Sequence, residues 1–253
     1  MQMMLSYIEG INMKSRIRIQ WLAIFIGFML WISIYYVIDS PLLVPSIQNI
    51  GLAFVQIFTS KNSLEAIFLT IVRLVIILFI SSLCGVLMGA IASKKTKIAY
   101  FLQPYVTIFR TIPVISIFVI LIILFGFNST PLIVTSLMIF PIIYQQTLES
   151  IRQIDQAYLD IYHLEDNRFW SGLKNCYLPL TKNQLLTAFL QSAGLGIKVL
   201  VMSEYLAQTP KSIGFSLYLA KTNIRYDQVF AWTILLIIIA ILIETWIRKQ
   251  QLK

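Results

Sequence analysis

This sequence predicts an all-α membrane protein with about six transmembrane helices, and three observations carry that prediction. The 253 residues are 58% hydrophobic and only 12% charged, with a mean hydropathy of +0.80. A soluble domain carries about 25% charged residues, so lipid is the solvent for much of this chain. The apolar residues gather into stretches close to the roughly 20 residues that cross hydrocarbon. The cations gather in the segments between those stretches, as they do around membrane spans.

Together these exclude a secreted disulfide scaffold, a disordered chain and an ordinary soluble enzyme. With two cysteines and one histidine, metal clusters and Cys/His nucleophilic systems lose their support. Cys84 falls within a span and Cys176 in a polar loop, which argues against a disulfide. The net charge of +9 reads as span-flanking cations. Nucleic acid is not implied, because no basic run is interleaved with aromatics.

The spans follow in order. The first covers 21–38, behind Lys14, Arg16 and Arg18; no small-residue cleavage site follows it, so it reads as a retained helix. The second covers 66–93 and stops at Lys94, Lys95 and Lys97. The third covers 104–125 and closes at Gly126-Phe127-Asn128-Ser129, and the fourth covers 131–148. A polar segment, 149–184, separates these from the fifth span, 185–207, and the sixth, 229–247. Ser81, Gly85, Gly89 and Ser93 repeat every four residues on the second span, as Ala188, Ser192 and Gly196 do on the fifth. Small residues at that spacing let helices approach closely in lipid.

Charge sets the expected orientation. With both termini cytoplasmic, one face collects Lys14, Arg16, Arg18, Lys94, Lys95, Lys97, Arg152, Arg168, Lys174, Lys182, Arg248, Lys249 and Lys253. The other face collects Lys61, Lys211, Lys221 and Arg225. The positive-inside rule selects this arrangement, and an even number of spans agrees with it.

The segment 149–184 is too long for a minimal turn and too short for a catalytic domain. Residues 156–163 have helical composition, Asp166-Asn167 interrupts them, and 168–177 read as a second short helix ending before Leu178-Pro179. Such helices at the membrane surface present Asp160, Tyr162, Phe169 and Trp170. Composition alone favours an interfacial amphipathic loop with an aromatic belt.

That segment also resembles the cytoplasmic loop of permease subunits of bacterial binding-protein-dependent ABC importers, which reads Glu-Ala-Ala, three residues, Gly, then about a dozen residues to Leu-Pro. Counting back from Leu178-Pro179 sets Asp160-Ile161-Tyr162 on the Glu-Ala-Ala, Asp166 on the Gly and Trp170 on a position often held by Trp. The match is degenerate: Asp stands for Glu, Ile-Tyr for Ala-Ala, and the Gly is absent. Elsewhere Leu43-Val44-Pro45-Ser46, Thr70-Ile71-Val72-Arg73, Arg110-Thr111-Ile112-Pro113, Val201-Met202-Ser203-Glu204 and the Ser212-Ile213-Gly214 loop resemble segments of the nitrate/taurine (sulfonate) class, in order, over about 43–247.

The resemblance implies a type I importer-like permease fold in the bacterial plasma membrane. It implies a coupling helix between the fourth and fifth spans, with Asp160, Ile161, Tyr162, Asp166 and Trp170 meeting a separate ATPase. It also implies two ATPase copies, a second permease copy as a homodimer, an extracytoplasmic substrate-binding protein, and a small anionic solute (sulfonate or nitrate) or a vitamin precursor as substrate. On this reading 1–20 is a cytoplasmic N-terminal segment, 21–65 the first helix with an extracytoplasmic segment, 66–247 the permease core with coupling loop 149–184, and 248–253 the cytoplasmic tail. No Gly-x-x-x-x-Gly-Lys-Ser/Thr phosphate loop occurs. The chain therefore carries no cofactor and is not an enzyme; ATP and Mg belong to the partner.

Ionisable groups within spans are costly and often functional. Arg73 and Glu204 lie within about 5 Å of the same depth at about 1.5 Å per residue, which suits either an ion pair or independent snorkelling to the outer interface. Lys198 lies nearer the midplane, about 240° around the helix from Glu204; it meets an anionic substrate or pairs with a neighbour's carboxylate or carbonyl. Arg110, beside Pro113, is a snorkelling cation or part of a gate where the helix breaks. Two rival classes remain: an ion-coupled secondary carrier, which would show repeats and broken helices with ion ligands, and a membrane-embedded hydrolase, which would need clustered acids or histidines at one depth.

Overall fold

In the computed structural model, residues 13–38, 44–158 and 169–251 are described, and all of their regular structure is helical. In chain order the helices are α1 (Met13–Ile38), α2 (Ile47–Thr59), α3 (Lys61–Lys94), α4 (Thr96–Thr111), α5 (Val114–Arg152) and α6 (Phe169–Gly172). A π-helical stretch (Leu173–Tyr177) then leads into α7 (Leu178–Leu180), followed by α8 (Lys182–Leu206), α9 (Ile213–Thr222) and α10 (Tyr226–Gln251). Among the described residues, four helices are long and apolar enough to cross a membrane: α3, α5, α8 and α10; the apolar stretches Phe25–Val37 and Ile47–Thr59 are shorter.

The expected third span, 104–125, is not one helix. Helix α4 ends at Thr111, and Ile112 and Pro113 are extended (ψ 135° and 131°) before α5 resumes at Val114. Proline disfavours helical backbone at the residue before it and has no N–H to give the preceding turn. The expected loop after that span shrinks to one residue. Gly126, at φ 74° and ψ 176°, splits the 39-residue α5 into the arms 114–125 and 127–152. Only glycine takes those angles without steric cost. One apolar cluster joins Ile117 and Phe118 of the first arm with Val134 and Met138 of the second and with Val199 of α8.

A second correction concerns Leu178-Pro179, which was expected to lie beyond a helix end. The chain passes through it helically, from α6 through the π turn into α7, with the break deferred to Thr181 (φ −103°, ψ 7°). Pro179 falls in the first turn of α7, where its missing N–H costs little.

Helix α3 packs along α5 and α8 through the small-residue stripes. A Cβ added at Gly85 would stand 2.9 Å from Ile143 Cβ, and one at Gly89 2.7 Å from Thr147 Cβ. At Gly196 it would meet Ile139 Cδ1 at 2.8 Å. The main core joins Leu74 and Ile77 of α3, Ile139 and Ile143 of α5, Ile197 and Leu200 of α8, and Trp232 of α10. Trp31 of α1 meets Phe230 of α10 edge to face, with centroids 4.7 Å apart. Phe68, Val75 and Phe79 of α3 and Ile241, Leu242 and Trp246 of α10 are exposed, an apolar exterior suited to lipid or a partner.

The bundle has two poles. At one, the start of α3 meets the turn after α8, where Lys211 Nζ lies 2.8 Å from Glu65 Oε1. At the other, Ala90 of α3, Ile151 of α5 and Leu173, Cys176 and Tyr177 form a cluster, and Lys94 Nζ lies 5.0 Å from the Tyr177 ring centroid.

Candidate functional site

Glu204 is fully buried in the last turn of α8, where the helix dipole disfavours a carboxylate. Its surroundings compensate. Arg73 Nη1 of α3 donates to Glu204 Oε1 at 2.9 Å. The Thr70 hydroxyl, one helical turn before Arg73 on the same face, lies 2.9 Å from Oε2 and 3.2 Å from Oε1 and donates to the carboxylate. The same hydroxyl accepts the Ile213 N–H at 3.0 Å, and the Gly214 N–H points at Oε2 from 3.4 Å. These are first-turn amides of α9, which no intrahelical carbonyl satisfies. The start of α9 therefore adds partial positive charge beside the acid. One carboxylate thus ties α3, α8 and α9.

Local sequence builds this junction. Helix α8 ends in a Schellman turn, with the Thr209 N–H on the Glu204 carbonyl at 3.0 Å, the Gln208 N–H on the Tyr205 carbonyl at 3.3 Å and Gln208 at φ 49°. Ser212 caps α9, its Oγ accepting the Phe215 N–H at 3.0 Å and donating to the Thr209 carbonyl at 2.7 Å. Gly214 is needed for closeness: a Cβ there would meet the Tyr205 amide nitrogen and stand 2.6 Å from the Val201 carbonyl oxygen.

The other residues singled out in the sequence scatter. Lys198 is on a different face of α8 from Glu204 and is exposed. It borders an apolar cavity of about 410 Å³ with Val201, Met202, Tyr205 and Leu236, and it has no ion pair among the described residues. Arg110 is exposed in the last turn of α4, just before the Ile112-Pro113 break. It lines a polar cavity of about 320 Å³ with Tyr144 and Arg152 of α5. Trp170 is exposed in α6, beside the pole that holds Lys94 and Tyr177. Asp160, Ile161, Tyr162 and Asp166 lie outside the described residues.

Thr70 and the α9 amides escaped the sequence reading. Thr70 stood three residues before Arg73, and the pairing of those two positions on one helix face was the available signal. Nothing in the sequence announced that α9 would turn its N-terminus towards Glu204.

Residues 81–249 match the family described as binding-protein-dependent transport system inner membrane component. The putative aliphatic sulfonates transport permease protein SsuC of Bacillus subtilis (strain 168) is 21% identical over 215 residues, covering 85% of this chain and 78% of that protein. The taurine transport system permease protein TauC of Escherichia coli (strain K12) is 24% identical over 218 residues, covering 84% and 79%. A solved structure, the bacterial alginate ABC transporter in complex with an alginate pentasaccharide-bound periplasmic protein, superposes with a TM-score of 0.65. The identity is 18%, over 93% of this chain and 95% of that one.

Proposed function

The chain belongs to the family of binding-protein-dependent transport system inner membrane components, and from that membership we propose how it works: two copies enclose a translocation pathway that an external ATPase drives. It is the permease component of an ABC importer, a multi-pass inner membrane protein, and not itself catalytic.

The finer reading is as follows. The chain crosses the membrane six times, through α1, α3, α4 with the arm 114–125, the arm 127–152, α8 and α10. Both termini are cytoplasmic. Residues 66–247 are the core, and 149–184 is the coupling loop through which Asp160, Ile161, Tyr162, Asp166 and Trp170 meet one of two ATPase copies. ATP and Mg bind there, on the partner. A substrate-binding protein delivers solute to the opposite pole, the one carrying Glu65 and Lys211. The solute is a small anion of sulfonate or nitrate type, or a vitamin precursor. The exposed Lys198 suits an anion, because a cation in the middle of a span faces water or a partner far more cheaply than lipid. Arg73 and Glu204 form the structural tie of the pathway wall, and Arg110 stands at the break that gates it.

The observation that carries this reading is the family match over 81–249, which runs from the small-residue stripe of α3 to the last turns of α10. The test is purification of the tagged chain from native membranes in mild detergent, with partners identified by mass spectrometry. An ATPase is expected to co-purify, to be lost when Asp160 and Trp170 are replaced, and to be stimulated by solute-loaded binding protein. An intact chain recovered without ATPase, under conditions that preserve a known ABC complex, would overturn it in favour of a self-contained carrier.

A further inference from the structure

The cavity between α4 and the second arm of α5 is polar, at the Lys94 and Arg152 pole, and built in an unusual way. Arg110 of α4 and Arg152 of α5 line it. Among the described residues neither guanidinium has a carboxylate within ion-pair distance. Glu149, the acid on the same arm, accepts instead from the Gln145 amide. Two like charges lining one cavity repel, and although both side chains are exposed an anion between them relieves that repulsion.

Tyr144 adds an independent sign. It lines the same cavity, is 1% exposed, and its buried hydroxyl has no hydrogen-bond partner among the described residues. Its ring is fixed by stacking on Phe140, with centroids 5.9 Å apart. The close approach of Gly89, where an added Cβ would stand 2.8 Å from the Tyr144 carbonyl oxygen, presses α3 against the same turn. A buried hydroxyl without a partner is costly and calls for one. Tyr144, Arg110 and Arg152 line one space of about 320 Å³, and a donor hydroxyl beside two guanidiniums is complementary to a group with several anionic oxygens. Guanidinium forks match the geometry of such oxyanions.

We infer that this cavity is an oxyanion site: Arg110 and Arg152 neutralise a sulfonate, sulfate or phosphate group, and the Tyr144 hydroxyl donates to one of its oxygens. The Gln103 and Gln145 side chains, also lining it, complete a polar wall. The oxyanion is either that of a transported solute leaving the pathway or that of a lipid headgroup seated at the membrane surface. The chemistry of recognition is the same for both. The direction of solute exit rests on the orientation proposed above; binding itself does not.

The two sources separate experimentally. The full chain is placed in nanodiscs of phosphatidylcholine alone and titrated with sodium sulfate against sodium chloride at fixed ionic strength, while the thermal unfolding midpoint is read. A parallel sample in nanodiscs containing phosphatidylglycerol is examined by native mass spectrometry for retained anionic lipid. For a free oxyanion, sulfate raises the midpoint. Its apparent affinity falls roughly tenfold in Tyr144→Phe, the scale of one charged hydrogen bond, and the effect vanishes in Arg110→Gln/Arg152→Gln. For a headgroup, sulfate is silent and the unmodified chain retains phosphatidylglycerol that both variants lose. Either result supports the site. It is overturned if the unmodified chain and Tyr144→Phe respond alike to sulfate and retain the same lipid. The phenylalanine variant keeps the ring and its stacking, so it decides the matter even where the double arginine variant fails to fold.

Discussion

Arg73 Nη1 lies 2.9 Å from Glu204 Oε1, and the two side chains differ sharply in environment, 23% and 0% exposed. The carboxylate is the captive member of the pair. Removing its cation leaves a buried charge with only the Thr70 hydroxyl and the Gly214 amide, and breaking a buried pair from one side costs about 3–5 kcal/mol. Arg73→Met is therefore expected to lower the unfolding midpoint in detergent strongly. Adding Glu204→Gln to it should recover much of the loss. A double variant no more stable than Arg73→Met would sink direct pairing.

Thr70 works in both directions, donating to Glu204 and accepting from Ile213. Thr70→Val keeps the shape and removes both bonds, leaving a carboxylate oxygen and an amide short of partners. A cost of about 2–3 kcal/mol is expected, and Thr70→Ser should restore most of it. Thermal unfolding of the three proteins side by side checks this.

Gly214 and Gly51 make a matched contrast. A methyl at Gly214 collides with the backbone of α8, whereas one at Gly51 on α2 meets nothing within 4 Å. Gly214→Ala should destabilise by more than 2 kcal/mol, in the range of overpacking. Gly51→Ala should stabilise by up to about 1 kcal/mol through helix propensity. Equal behaviour of the two would contradict the close approach of α9 to α8.

Helix α9 ends in a second Schellman turn, with the Arg225 N–H on the Ala220 carbonyl at 2.8 Å. Ile224 holds its left-handed position at φ 57° while 59% exposed. A β-branched residue is strained there, and glycine is the natural occupant. Ile224→Gly is expected to raise the unfolding midpoint, by about 1 kcal/mol of stability, although it deletes an apolar side chain.

Lys198 gives a functional prediction that separates from stability. Lys198→Met should leave the permease–ATPase complex intact, because the side chain is exposed and makes no ion pair among the described residues. Solute uptake at low concentration should fall, roughly tenfold for one lost charge-assisted contact. Unchanged uptake would remove Lys198 from the pathway, and loss of the complex would assign it to assembly.

Sequence legibility tracked how local the cause was. Helices α3, α8 and α10 follow from apolar runs of membrane length, so their positions were readable within a few residues. The shared depth of Arg73 and Glu204 was readable by counting rise per residue. Their contact was not, because it depends on the rotation of α3 against α8, which the small-residue stripes set jointly. The third span misled because 104–125 was taken as one apolar stretch across Arg110 and Pro113, although that proline marks the break. Leu178-Pro179 misled in the other direction: a proline at a first turn can begin a helix, and the π stretch before it has no signature in composition. Arg152 was read as a flanking cation, and Tyr144 drew no reading of its own. Only their meeting with Arg110 across two elements gives them a shared task.

The Glu204 junction has a mechanical meaning. It joins α3, α8 and α9 at one pole with directional bonds that share one carboxylate and one hydroxyl. At the far pole α3, α5 and the π stretch touch through Ala90, Ile151 and Tyr177, apolar surfaces without directional bonds to hold their register. Stiffness is thus unevenly distributed along the bundle axis. The end held by Glu204 is bound by directional polar contacts, and the end at Lys94 and Tyr177 by apolar packing and one cation–π contact.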